Sequence, residues 1–325
     1  MAIKTGWVVW LAGLAGCARV APSAAPLSLG KEAEPAAAAS VVSAPTASAA
    51  PALKTPGKQG KRALYRRSCD LGSAVACNDL AILLLDDRPQ AFTLLERACS
   101  LGLSRGCANL GVQLLRSEPS DKERDRALDL LGAACDQADG YACAELGDAM
   151  YAAFEQRGAS AHGRAHAAYE KACKLGYMDA CSSDGWMFRN GEGTAKSAAR
   201  ARELFRLACE HESYSGCAAL GYDLMDDAKN GDEYAEGARW LKAACQHNDA
   251  FGCFSMGAAM VGSGDLKDLE GGLALLKRAC TLGFDNGCRF AAAVEQGIKN
   301  RAATRSAAPH DPAAGDEPDA EEDED

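Results

Sequence analysis

Fourteen of the 15 cysteines in this 325-residue chain fall into seven pairs, and the two members of every pair stand eight residues apart. The pairs are Cys69 with Cys77, Cys99 with Cys107, Cys135 with Cys143, Cys173 with Cys181, Cys209 with Cys217, Cys245 with Cys253 and Cys280 with Cys288. Successive first cysteines are separated by 30, 36, 38, 36, 36 and 35 residues. A unit that recurs near 36 residues predicts a solenoid, in which each supersecondary element buries its apolar face against its neighbours.

Counting from the first cysteine of each unit shows what the unit contains. Position −1 is Ala98, Ala134, Ala172, Ala208, Ala244 and Ala279, with Ser68 in the first unit. Positions −5 and −4 carry Leu94/Leu95, Leu130/Leu131, Leu204/Phe205, Trp240/Leu241 and Leu275/Leu276, and position −8 is Ala or Gly from Ala91 to Gly272. Spacings of three and four define one helix face. Position +12 is always small (Ala81, Gly111, Gly147, Gly185, Gly221, Gly257, Ala292) and +15 is apolar from Leu84 to Met260, so a second helix follows. Between the helices, Gly72, Gly102, Gly176 and Gly283 stand at +3, where a left-handed residue ends a helix. Ser73, Ser104, Asp139, Asp179, Ser213, Asp249 and Asp285 are the expected N-caps of the second helix. Pro89 and Pro119 fall in the connections between units.

Geometry then decides the state of the cysteines. In one unbroken helix, residues eight apart are separated by about 12 Å, beyond the roughly 7 Å that a disulfide spans. A turn between them folds one helix end onto the next start and lets the sulfurs meet. Ala or Gly precedes every second cysteine (Ala76, Gly106, Ala142, Ala180, Gly216, Gly252, Gly287), leaving room for that approach. Each clasp closes a loop of about nine residues, worth at most about 2.6 kcal/mol in the chain-entropy model. Zinc ligands favour two to four intervening residues and none of the five histidines follows the repeat, so no metal site and no cofactor is expected. Seven intra-repeat disulfides imply an oxidising compartment.

The two ends are of a different kind. Residues 306–325 hold nine acids and no Lys or Arg, which leaves only −1 of the formal charge of −10 for the rest of the chain. Such a run repels itself, has nothing to bury and is expected to stay disordered. The near-neutral body, with a pI near 5.1 overall, lacks the basic footprint of a nucleic-acid partner. At the other end, Lys4 precedes an apolar run of eleven residues, Gly6 to Gly16, far short of the roughly 20 that cross a bilayer but long enough for a signal-peptide core. Residues 18–56 contain 14 Ala, 6 Pro and 5 Ser, too few large apolar groups to offset ordering entropy, and are expected to form a flexible tether.

Two resemblances add to this. Leu14-Ala15-Gly16-Cys17 resembles the lipobox of bacterial lipoproteins, in which cleavage precedes the cysteine and that cysteine carries the lipids. Ala18 after it implies outer-membrane sorting; a plain secretory signal cut a few residues later is the alternative. The expected order is a signal peptide over 1–16, a lipid-anchored tether over 17–62, seven repeats over 63–305 and the acidic tail over 306–325. Segments such as "ERACSLGLSRGCANLGVQLL", "EKACKLGYMDACSSDGWMF" and "KRACTLGFDNGCRFAAAV" are similar to Sel-like repeats, relatives of tetratricopeptide repeats. In particular they resemble the disulfide-bridged form in the Helicobacter cysteine-rich proteins. The third, fifth and sixth units lack the Leu-Gly after the first cysteine, and the first connection is six residues short. The resemblance implies an all-α, right-handed α/α solenoid of seven disulfide-clasped hairpins.

Such a solenoid offers a concave surface to a protein or peptide ligand, with a peptidoglycan-related ligand as a variant. Glu295 stands where other units have an apolar +15 residue, as suits the outer face of a capping helix. Penicillin binding or weak β-lactam hydrolysis, described for cysteine-rich relatives, is the enzymatic alternative that the resemblance implies. The serine β-lactamase elements that activity needs are misplaced, however. The sole S-x-x-K is Ser28 to Lys31 in the tether, and the sole K-T-G is Lys4 to Gly6 in the signal segment. No catalytic residue is assigned. His162 and His166, four apart, have the spacing to chelate a metal on one helix but are expected to be a solvated pair, and Gly191-Glu192-Gly193 an inter-repeat loop.

Overall fold

The computed structural model describes residues 57–153, 158–263 and 266–307. All regular structure among them is helical, in the order α1 (Lys58–Asp70), α2 (Ala74–Leu83), α3 (Arg88–Ser100), α4 (Ser104–Leu115), α5 (Asp121–Asp136), α6 (Gly140–Ala152), α7 (Ala159–Lys174), α8 (Met178–Asn190), α9 (Ala198–Glu210), α10 (Tyr214–Asp226), α11 (Gly231–Gln246), α12 (Ala250–Ser263), α13 (Leu266–Thr281) and α14 (Asp285–Ala307). Each repeat is one hairpin, α1/α2 through α13/α14, so the architecture is the expected α/α solenoid. Helix α1 starts inside the segment assigned to the tether, and Pro89 sits in the first turn of α3, where its missing N–H costs nothing. The signal segment, Cys17 and the acidic segment 308–325 lie outside the described residues.

The described residues fall into two compact units divided after Gly216. In the first, each helix from α1 to α9 packs on the next, and the second helices also meet, α2 with α4 and α4 with α6. In the second unit, α11 to α14 pack in the same succession, and α12 meets α14.

One turn recurs in all seven hairpins. The backbone N–H at +4 donates to the carbonyl at −1, from Ser73 to Ser68 (3.0 Å) through Asp139 to Ala134 (3.2 Å) to Phe284 to Ala279 (3.0 Å). This six-to-one bond closes a Schellman motif around a left-handed residue at +3. Gly72, Gly102, Gly176 and Gly283 hold φ between 86° and 94° there, but Ala138, Glu212 and Asn248 adopt φ of 61°, 62° and 65°. The three repeats without Leu-Gly therefore make the same turn at the cost of a strained side-chain-bearing residue.

That turn fixes the N-cap at +4 in every repeat and corrects three expected caps. Ser73, Asp139, Ser213 and Asp249 accept from the N–H three residues on. Ser104 and Asp285 are instead the first residues of their helices and Asp179 the second of its own, behind Leu103, Phe284 and Tyr177. The strained turns of the third, fifth and sixth repeats all have a polar cap at +4, whereas Leu103, Tyr177 and Phe284 follow a glycine and pack against the core instead.

The tight turn brings the paired cysteines together. Cys69 is bonded to Cys77 with their Cα atoms 4.6 Å apart, Cys99 to Cys107 at 4.5 Å, and Cys135 to Cys143 at 4.6 Å. Cys173 is bonded to Cys181 at 4.7 Å, Cys245 to Cys253 at 4.4 Å, and Cys280 to Cys288 at 4.5 Å. Cys209 and Cys217 are disulfide-bonded as well. These are the pairings expected from the spacing. The second cysteine is the deeper member in several hairpins: Cys77, Cys143, Cys181 and Cys253 are fully buried, while Cys107 is half-buried beside the α4–α6 core. The small residue before each second cysteine faces the alanine before the first: a Cβ on Gly106 would fall 2.8 Å from that of Ala98. The small residue at +12 marks where the next hairpin crosses. A Cβ on Gly257 would lie 2.8 Å from the Gly272 carbonyl oxygen, so any larger residue pushes the two helices apart. In the last repeat Ala292 at that position is exposed, and Glu295 pairs with Lys277 on the outer surface.

Candidate interaction face

Within the first unit, adjacent repeats are keyed by the side chains at +6 of one and +4 of the next. Arg105 holds Asp139 through two bonds of 2.9 Å and lies 4.8 Å above the Tyr141 ring. Tyr141 meets Tyr177 edge-on at 6.2 Å. Asp179 accepts hydroxyl bonds from Ser213 (2.7 Å) and Ser215 (2.9 Å), which explains why it caps nothing in its own helix. In the second unit the same key is hydrocarbon, Phe251 against Phe284 at 6.2 Å. Ion pair, hydroxyl–carboxylate and ring–ring contacts thus occupy one register position.

Helix α6 carries three strongly perturbed groups. Tyr141, Glu145 and Asp148 share one face by their spacing of four and three. Burial, followed by the charge of Asp148, pushes the half-buried Glu145 carboxyl up to about 7. Burial likewise raises Asp148 to about 6, although the Tyr169 hydroxyl donates to it at 2.7 Å. The buried Tyr141 hydroxyl faces Glu145 without closing a well-formed hydrogen bond, and desolvation drives its phenol well above the usual range. Tyr177 is pushed to about 12, first by burial and then by the nearby Asp179.

The neighbouring hairpin α7/α8 holds a second polar group. His166 Nδ1 lies 2.6 Å from Asp184 Oδ1, and the Asp184 side chain is only 2% exposed. Burial raises the Asp184 carboxyl against the opposing bond from His166. The register-equivalent pairs Phe92/Leu110, Leu128/Leu146 and Leu273/Ala291 are apolar and belong in each case to one core cluster. His162 stacks on Tyr151 at 4.9 Å and 15°, and the Tyr151 hydroxyl donates to Glu192 at 3.0 Å. The two histidines are therefore not a solvated pair: His162 turns to α6 of the preceding repeat and His166 to α8 of its own hairpin. Glu192 gives the inter-repeat loop a structural task, holding Tyr151. Further toward α1, Asn109 donates to Asn78 at 2.7 Å and Asn78 to Asp79 at 3.1 Å, a buried amide ladder joining α4 to α2.

The sequence reading singled out none of Arg105, Tyr141, Glu145, Asp148, Asp184 or the two asparagines. A signal was available for two of them: Asp184 at +11 and Asp148 at +13 stand where every other repeat has an apolar or aromatic residue. No group of three or more His, Cys, Asp or Glu side chains suited to a metal gathers among the described residues.

Comparison with known proteins bears on the fold. The structure is similar to a Sel1 repeat protein from Oxalobacter formigenes, with a TM-score of 0.54 and 15% identity over 74% of this chain and 94% of that one. It is also similar to a protective antigen of uropathogenic Escherichia coli that displays an SLR fold, with a TM-score of 0.52 and 16% identity over 73% of this chain. The chain spans about half of that antigen, 52%. No family profile and no curated protein matches the sequence. The shared feature is the Sel1-type repeat fold.

Proposed function

We propose that this chain is an envelope-tethered scaffold that binds a protein or peptide partner on the face formed by α4, α6 and α8. One observation carries the reading: along this face Tyr141 is buried and Glu145 and Asp148 are half-buried, each at a cost in desolvation. A group kept at such a cost has a use beyond packing. Over the buried Tyr141, the half-buried Tyr177, Glu145 and Arg105 offer a partner an aromatic surface with fixed polar handles, the mix that dominates binding hot spots.

The same proposal places the protein outside the cytoplasm. The disulfides favour an oxidising compartment, and no described helix is long and apolar enough to cross a membrane. Residues 1–16 would be removed as a signal, Cys17 would take the lipid, residues 17–62 would serve as the tether to the outer membrane, and 306–325 would be an acidic appendage. A photo-crosslinking residue placed at 145, with one at Lys242 as control, tests the binding face in the native host. A reproducible adduct at 145 alone is expected; equal adducts at both positions, or none, would remove the reading. Fatty-acid labelling that is lost in Cys17→Ser tests the anchor. Penicillin binding rests on the family resemblance, and labelling by a fluorescent penicillin above an unrelated disulfide-rich control would put it first.

A further inference from the structure

Four basic residues at one register position show what the first repeat lacks. At −2, Arg97 reaches back to Asp70 of the preceding repeat, through the carbonyl at 3.2 Å and the carboxylate at 3.9 Å. Lys171 reaches Asp136 at 3.0 Å, again at +1 of the repeat before. Arg278 does the same in the second unit, meeting the Gln246 carbonyl at 3.4 Å and Asn248 at 3.0 Å. Arg67 is the −2 residue of the first described repeat, is exposed, and makes no ion pair among the described residues. The same holds for the exposed Lys61 and Arg66, the latter touching only Gln90 at 3.3 Å. Helix α1 carries Lys58, Lys61, Arg62, Arg66 and Arg67 against one acid, Asp70, which Arg97 takes. Beside it a groove of about 420 Å³ is lined by Leu64, Tyr65, Ser68, Val75 and Asp79. Leu64, Tyr65 and Ser68 hold −5, −4 and −1, the positions by which later repeats stack on the one before. This face is a stacking surface whose acidic partner is not among the described residues.

We propose that α1 docks the acidic segment 311–325 of a second copy of this chain, with Arg67 taking a carboxylate as Arg97 and Lys171 do inside the solenoid. Charge complementarity names the occupant: nine acids and no Lys or Arg in residues 306–325 meet Lys61, Arg66 and Arg67 on one helix. The copy is a second one because a solenoid repeat contacts only its neighbours, and the segment follows the seventh repeat while α1 opens the first. The contact is head-to-tail and heterologous, so it propagates rather than closing a dimer.

The experiment uses the chain with a stop after residue 307 and a labelled synthetic peptide of residues 308–325. Binding is expected at low salt, weakened roughly tenfold at 0.3 M salt by screening and about as much by Arg67→Glu. Lys122→Glu, an exposed cation of α5, a helix that does not pack on α1, is the control and is expected to change affinity by less than about twofold. With the complete chain, a zero-length carboxyl–amine crosslinker acting on mixed heavy and light isotopic preparations is expected to join Lys61 to the acidic segment in heavy–light pairs. Equal loss with Arg67→Glu and Lys122→Glu, no peptide binding, or crosslinks confined to single chains would each overturn the proposal.

Discussion

Two hairpin pairs in this molecule make the same interlock from different atoms. In the second unit Phe251, Phe254, Phe284 and Phe290 pack ring on ring, a hydrocarbon seam with nothing to titrate. In the first unit the equivalent edge-on pair is Tyr141 against Tyr177, and around it stand Glu145, Asp148, Asp179 and Arg105. Both pairs have centroids 6.2 Å apart, so the scaffold sets the geometry and leaves the chemistry free. The hydrocarbon version stacks repeats without desolvating a charge. Its tyrosine–carboxylate counterpart holds the same geometry while burial raises two carboxyl groups beside it.

The buried His166–Asp184 pair gives the largest test of that contrast. His166→Ala leaves Asp184 buried without its partner and should cost about 3 kcal/mol, read by denaturant unfolding. Replacing both by leucine copies the hydrocarbon pairing of Leu128 with Leu146 and should return most of the loss, since apolar substitutes for a buried pair are often neutral or better. If the double change is as damaging as the single one, the pair is more than a polar stand-in for core.

Proton linkage gives the next. Glu145 titrates near 7 in the fold and near 4.5 when unfolded, so its protonated form is the one the fold favours. Its contribution is complete below pH 4.5 and is lost as pH rises through 7; Asp148 behaves alike up to about 6. After discounting for partial exposure, the loss between pH 5.5 and 8 is on the order of 1–2 kcal/mol. Hydrogen exchange should show α6 opening more readily at pH 8, corrected for intrinsic rates, while α12 stays flat. Glu145→Gln should leave only the shallower slope of Asp148 near pH 6; an unchanged slope would locate the titration elsewhere.

Tyrosine hydroxyls supply a smaller comparison. Tyr141→Phe removes a buried hydroxyl that lacks a well-formed bond and should be neutral or stabilising by up to about 1 kcal/mol. In thermal melts, a loss of more than about 1 kcal/mol would show that the hydroxyl is bonded in the fold.

The cysteine spacing made the hairpins legible because a clasp eight residues wide admits one geometry, and the small residues at −1 and +12 followed from it. The caps were only partly legible. A Schellman turn counts residues from the first helix, so +4 is the cap whatever its side chain, and Ser104, Asp179 and Asp285 attracted the assignment by type alone. The interaction face was not legible as a face. Arg105 and Asp139 are 34 residues apart, and only the stacking of one hairpin on the next makes them neighbours. Likewise His162 and His166 are four apart on one helix, yet one turns to Tyr151 and the other to Asp184.

The smallest expected effect separates the two kinds of turn. Ala138 at φ 61° bears the left-handed penalty that Gly283 at φ 90° avoids. Ala138→Gly relieves about 1 kcal/mol of strain but adds freedom to the unfolded chain, for a net gain of roughly 0.5 kcal/mol. Gly283→Ala meets no atom within 4 Å, so its cost of about 1 kcal/mol is conformational rather than steric. Asp139 capping the Ala142 N–H at 3.1 Å is what lets the strained turn persist, because the Cys135–Cys143 disulfide and the cap both hold the +3 residue in place. Asp139→Ala should therefore cost more than the matching loss at a glycine turn, where Leu103 has no cap to lose. It also releases Arg105, so Arg105→Met in the same background separates the cap from the ion pair. If thermal melts show Ala138→Gly to be destabilising, the left-handed residue is held by contacts at its Cβ rather than tolerated by its cap.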